Sequence, residues 1–192
     1  MIKLLTSVFA IGLLAQPQLS WSKDYDFRQA KWGMTQNDVI SAEEKMDPVE
    51  RTEDMITYKT KISNKNVLLS YLFVQDKLIG ALYKLEDNYL NSDHFIRTYL
   101  QFKQILTKKY GPPSREITNW LNDTYRNNPK KWGLAMSLGH TEYASFWKTQ
   151  HTTIECSLRE ENYNVLCLLK YWSIAYSHLL EEVKQEDNLD LF

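Results

Sequence analysis

Glycine and cysteine are scarce in this chain, which holds six and two of them among 192 residues. So few glycines leave little material for a phosphate-cradling loop, and no Gly-x-Ser-x-Gly elbow, phosphate loop or His-Glu-x-x-His helix is present. The four histidines, His94, His140, His151 and His178, do not stand at metal-ligand spacing. His140-x-Glu142 matches the first half of a zinc deaminase signature, but the Pro-Cys-x-x-Cys ligand pair is missing. No catalytic, cofactor or metal site is therefore expected. A surplus of basic residues is lacking too: 23 Lys and Arg stand against 24 Asp and Glu, and Glu181, Glu182, Glu186, Asp187 and Asp190 cluster near the end. A protein that tracks nucleic-acid phosphates needs the opposite balance on one face, so no nucleic-acid partner is expected.

The apolar stretch Leu4 to Ala15 is also too short to span a bilayer, and Gln16-Pro17-Gln18 interrupts it. Preceded by Lys3 and followed by Ser20-Trp21-Ser22, it reads as a secretory signal peptide over residues 1–22, cleaved before Lys23. The mature chain, 23–192, is expected to be periplasmic or secreted, with no stable membrane span after cleavage. No cysteine follows the apolar core, so an acylated N-terminus is excluded.

In an exported protein, Cys156 and Cys167 have an oxidising environment available. Their strands, Ile154 to Leu158 and Val165 to Leu169, flank the polar Glu160-Glu161-Asn162-Tyr163, a hairpin pattern that sets Cys156 opposite Cys167. Facing positions on antiparallel strands have Cα atoms about 4.5–5.5 Å apart, so either a disulfide or a pair of buried free thiols fits. Burial on apolar strand faces argues against a reactive thiolate.

What is present is periodic. Trp32-Gly33-Met34-Thr35-Gln36-Asn37-Asp38 has the chemistry of a helix start, with Thr35 as cap and Asp38 three residues on, and predicts a helix over 35–44. Three alternating stretches follow at 56–62, 67–73 and 78–82, with turns at Ser63 to Asn66 and Gln75-Asp76, which predict an antiparallel meander. Phe95, Ile96, Tyr99, Phe102, Leu106 and Tyr110 recur at helical steps over 92–110, ended by Gly111-Pro112-Pro113. After a polar loop over 119–131 and a short helix at 133–138, strands return at 141–149, 151–159 and 164–172, and a last helix is expected over 173–185. The expected fold is α+β, with helices on antiparallel meanders. Two helix-plus-three-strand units, 23–90 and 91–172, form one domain. Lys31-Trp32-Gly33-Met34 and Lys131-Trp132-Gly133-Leu134 echo each other, too briefly to establish a duplication.

Trp120, Tyr125, Arg126, Lys130, Lys131 and Trp132 form the candidate contact segment, because aromatic faces beside cations and amides stack on sugars or anchor a protein partner. The competing reading folds these rings back onto the sheet.

Trp32-Gly33-Met34-Thr35-x-x-Asp38-Val39, Tyr71-x-Phe73 with Asp76-Lys77-Leu78, and Lys108-Lys109-Tyr110-Gly111-Pro112-Pro113 resemble motifs of small exported bacterial proteins. The helix start and following meander are similar to modules of the outer-membrane assembly lipoprotein BamE and of β-lactamase inhibitor proteins. This chain departs from that pattern in having no lipid-attachment cysteine and in placing its cysteine pair across one hairpin. The resemblance implies a fold style and a non-catalytic role, with no binding residue carried over. Together these observations point to an exported, non-catalytic protein that binds another macromolecule, through its sheet or the Trp120 to Trp132 segment. Binding of envelope glycan is the first alternative, and an enzyme lacking known motifs is the second.

Overall fold

A computed structural model describes residues 25–179 and 181–182. The signal peptide expected at residues 1–22 lies outside them. The first helix, α1 (Gln36–Ala42), starts as its sequence predicts. Thr35 and Asp38 form a reciprocal capping box, and Asp76 Oδ1 accepts the backbone N–H of Gln36 at 3.0 Å. Strands β1 (Glu50–Arg51), β2 (Met55–Ile62), β3 (Lys65–Val74) and β4 (Lys77–Leu85) follow. Then come α2 (Asp93–Tyr110), β5 (Arg115–Trp120), two 3₁₀ turns (Asp123–Tyr125 and Pro129–Lys131) and α3 (Trp132–Ser137). Strands β6 (Thr141–Lys148), β7 (Thr152–Glu161) and β8 (Asn164–Ser173) complete the sheet.

All eight strands join one antiparallel sheet in the order β1-β2-β3-β4-β8-β7-β6-β5. Each half is therefore a meander of four strands rather than three, because an edge strand, β1 or β5, is added to each expected triplet. The last strands of the two meanders, β4 and β8, pair with each other. Helix then meander occurs twice, but the two Trp-Gly sequences do not occupy equivalent places. Trp32-Gly33 precedes α1, whereas Trp132-Gly133 opens α3 between β5 and β6.

Hairpin geometry explains the one wrong register. Ser63-Asn64, Gln75-Asp76 and Asn162-Tyr163 each have φ between 47° and 65°, so three connections are two-residue turns with both central residues left-handed. That turn type matches the natural twist of antiparallel strands. With Asn162-Tyr163 alone as the turn, Glu161 pairs with Asn164, Cys156 faces Leu169 and Cys167 faces Leu158. The expected Cys156–Cys167 facing pair is thus corrected by two residues, to a diagonal relation of roughly 7–8 Å. Both cysteines are buried free thiols.

One hydrophobic cluster runs under the whole sheet on the helix side. It joins Ile56, Tyr58, Leu69 and Tyr71 of the first meander to Tyr171, Leu169, Ile154 and Leu158 of the second. Helix α2 lies on β7 and β8 and inserts Phe95, Tyr99, Phe102 and Leu106. Phe27 closes the first half, with ring centroids 4.7 Å from Tyr171, 5.5 Å from Tyr83 and 5.7 Å from Tyr71. The expected C-terminal helix is shorter at its start. Strand β8 continues through Ser173, and helical residues begin at 177, the remainder of the expected span beyond residue 182 lying outside the described residues. No described helix is long and apolar enough to cross a membrane.

Candidate partner-binding surface

The segment singled out by its sequence is drawn inward. Trp120 and Trp132 are both half-buried and pack on each other, with ring centroids 6.1 Å apart and planes at 59°. Trp132 Nε1 donates to the Arg126 carbonyl at 3.0 Å, and Tyr125 stacks on His140 at 5.7 Å. Arg126 pairs with Asp123 at 3.2 Å, and only Lys130 and Lys131 of the six candidates are exposed without an ion pair. The rings thus spend their faces on one another. Leu121, Leu134 and Leu138, which are 62%, 39% and 50% exposed, are the apolar residues this region turns to solvent.

A larger surface lies on the opposite side of the sheet. Helices α1, α2 and α3 all reach the face that carries Tyr58, Tyr71, Tyr171 and Cys156, whereas the helical residues 177–179 and 181–182 start beside the other face, next to Trp172, Lys148 and Thr153. Register fixes what that other face presents. One row runs Lys59, Leu68, Lys84, Leu168, Ser157, Ala144 and Ile117 across β2, β3, β4, β8, β7, β6 and β5. The next row runs Thr57, Ser70, Leu82, Lys170, Glu155, Phe146 and Arg115.

At one end Trp172 lies over Gly80, where an added Cβ would come within 2.4 Å of the indole ring. The turn at 174–177 borders the same end, and Trp172, Lys148, Thr153 and Tyr176 line a shallow groove there. Thr57 and Ser70 are buried and hydrogen-bond each other at 3.0 Å, and Ser157 is buried with no partner for its hydroxyl. Lys170 pairs with Glu155 at 3.1 Å and Arg159 with Glu161 at 2.7 Å. Among the described residues Lys59, Lys61, Lys77, Lys84 and Arg115 have no carboxylate within ion-pair distance, against Glu50, Glu86 and Glu142 of the other sign, and Glu181 lines the groove with Lys148. The β2–β4 side of this face, which carries Lys59, Lys61, Lys77 and Lys84 against Glu50 and Glu86, is therefore basic on a chain whose formal net charge is −1.

Sequence reasoning did not single out this face. Its signal was present in Val67-Leu68-Leu69 and Leu166-Cys167-Leu168-Leu169, apolar runs that place leucines on both sides of a strand.

A buried carboxylate lies on the helix side of the sheet. Glu43, 3% exposed, accepts from Arg28 Nε at 2.6 Å, from Arg28 Nη2 at 2.9 Å and from the Tyr71 hydroxyl. That hydrogen bond to Glu43 raises the Arg28 pKa, while burial and Glu43 push the Tyr71 phenol up. Burial drives the Cys167 thiol up to about 12, and burial with Cys167 nearby puts Cys156 well above its ordinary value. Neither is a nucleophile at neutral pH. Both thiols are expected to resist alkylation by iodoacetamide in the native protein and to react fully in guanidinium chloride. Rapid native labelling at either position would contradict the burial described here. Among the described residues, no three of His, Cys, Asp and Glu converge to hold a metal ion.

Comparison with protein-family models, curated proteins and solved structures returned no match to this chain.

Proposed function

We propose that this chain is an exported, non-catalytic protein that docks another macromolecule on the face of its sheet turned away from α1, α2 and α3. Export is supported by the character of residues 1–22, which reads as a secretory signal and accords with a periplasmic or secreted protein. The observation that carries the docking reading is the one-sided layering. Among the described residues α1, α2 and α3 lie on one face of the eight strands, while the other face holds the partly exposed Leu68, Leu72, Leu82, Phe146 and Trp172 among lysines. A sheet face that leaves leucine, phenylalanine and tryptophan partly exposed is suited to a partner that packs on them. The Trp120 to Trp132 segment is the weaker candidate for either a protein or a glycan, because its rings are committed to each other.

A photo-crosslinking residue placed at Leu82 on this face, or at the exposed Leu100 on α2, tests the reading in exporting cells. A discrete adduct is expected from position 82 and none from position 100. An adduct from Leu100 or Leu134 alone would move the docking site off the sheet. Isolated cell-wall glycan supplies the contrast, since the purified protein is expected to stay in the supernatant when the glycan is sedimented.

A further inference from the structure

We infer that the occupant of the β2–β4 side of this face is an acidic protein surface, with carboxylates against Lys59 and Lys84 and an apolar side chain between them over Leu68. This inference rests on the docking reading above and adds the chemistry of the partner. Lys59, Leu68 and Lys84 stand side by side on β2, β3 and β4. Adjacent strands lie about 4.8 Å apart, so the two lysine stems rise roughly 9–10 Å from each other with the leucine in the gap. Both lysines are exposed, and Leu68 is partly so. Lys61 extends the cationic edge, and Glu86 is the carboxylate bordering it.

Two features favour a protein over a polyanion. First, the cations are not contiguous, because Leu68, Leu82 and Leu168 separate them, whereas a phosphate track needs a run of cations following the polymer. Second, the ion pairs Lys170–Glu155 and Arg159–Glu161 neutralise the next strands, so the cationic surplus in this half is confined to the β2–β4 side. A partner matching that pattern offers carboxylates around an apolar centre, the arrangement of a polar rim about a buried contact.

The test uses the full-length purified protein, labelled with ¹⁵N, and a synthetic peptide of alternating Glu and Leu as probe. A Lys–Leu peptide and inorganic polyphosphate serve as comparisons. Amide shifts are expected over β2, β3 and β4 with the Glu–Leu peptide and not with the Lys–Leu peptide. The double variant Lys59→Glu with Lys84→Glu is expected to weaken peptide binding by about tenfold or more, since like charges then meet across the contact. Lys59→Gln with Lys84→Gln removes the charge without reversing it, gives a smaller loss, and decides the question if the reversed variant fails to fold.

Unchanged affinity in the folded variants, shifts confined to the helix side, or equally tight polyphosphate binding on the same residues would each overturn the acidic-protein assignment. A silent peptide titration beside a persistent adduct at position 82 would overturn the partner chemistry and leave the docking face standing. Absence of that adduct would remove the face itself.

Discussion

Replacing Glu43 with Ala is expected to lower the unfolding free energy by about 3–5 kcal/mol, measured by urea denaturation, because it strands two donors that have no other carboxylate to turn to. Glu43 sits at the end of α1 and is almost wholly buried, yet it holds the Arg28 guanidinium by two bonds and the Tyr71 hydroxyl by a third. These contacts tie the chain before α1, the end of α1 and the middle of β3 to one atom group. Arg28 keeps some access to water, with 31% of its side chain exposed, so part of its lost pairing is recovered by hydration. Tyr71 is fully buried and has no such outlet. Arg28→Met, Glu43→Met and Tyr71→Phe combined should therefore cost less than Glu43→Ala alone, since removing all three polar groups leaves no buried donor or ion unpaired. If the single and triple variants lose equal stability, the interaction is packing rather than charge.

Phe102→Ala is expected to cost about 3–5 kcal/mol by the same measurement, while Leu100→Ala should stay within about 0.5 kcal/mol. Phe102 is 1% exposed and lies on the side of α2 that meets β7 and β8, whereas Leu100 is 51% exposed on the outer side of the same helix. The contrast isolates burial from helix propensity, because Leu and Phe differ little in their preference for the helix. Equal costs at the two positions would mean that α2 does not lie on the sheet as described.

The α+β character and most elements were legible because their signals are local. The Thr35–Asp38 capping box, the aromatic stripe of α2, and the alternation of β2, β3 and β4 are each written within a few residues. Strand β5 was hidden because Arg115-Glu116-Ile117-Thr118-Asn119-Trp120 alternates weakly at a sheet edge, where one side needs no apolar residue. The cysteine register failed over which of four polar residues turn the chain. Tyr163 adopts a left-handed backbone without being Gly, Asn or Asp, so nothing in its identity announces it.

The candidate surface was the least legible part. Trp120, Tyr125 and Trp132 attract attention by residue type, but whether a ring faces solvent is decided by neighbours far along the chain. The basic face was dispersed in the same way, as single lysines on strands whose order in the sheet is not their order in the sequence.

The β4–β8 junction also governs the order in which the chain can be completed. Gly80 to Lys84 find their partners only at Leu168 to Trp172, 84 to 92 positions later, while every other strand pairing described here joins sequence neighbours. Until β8 has been made, the first meander consequently stands with one side of β4 unsaturated. An exposed row of backbone donors and acceptors of that kind templates intermolecular β-pairing. Chains truncated before β8 should therefore be the species that aggregate, and any holding factor would be needed most in that interval.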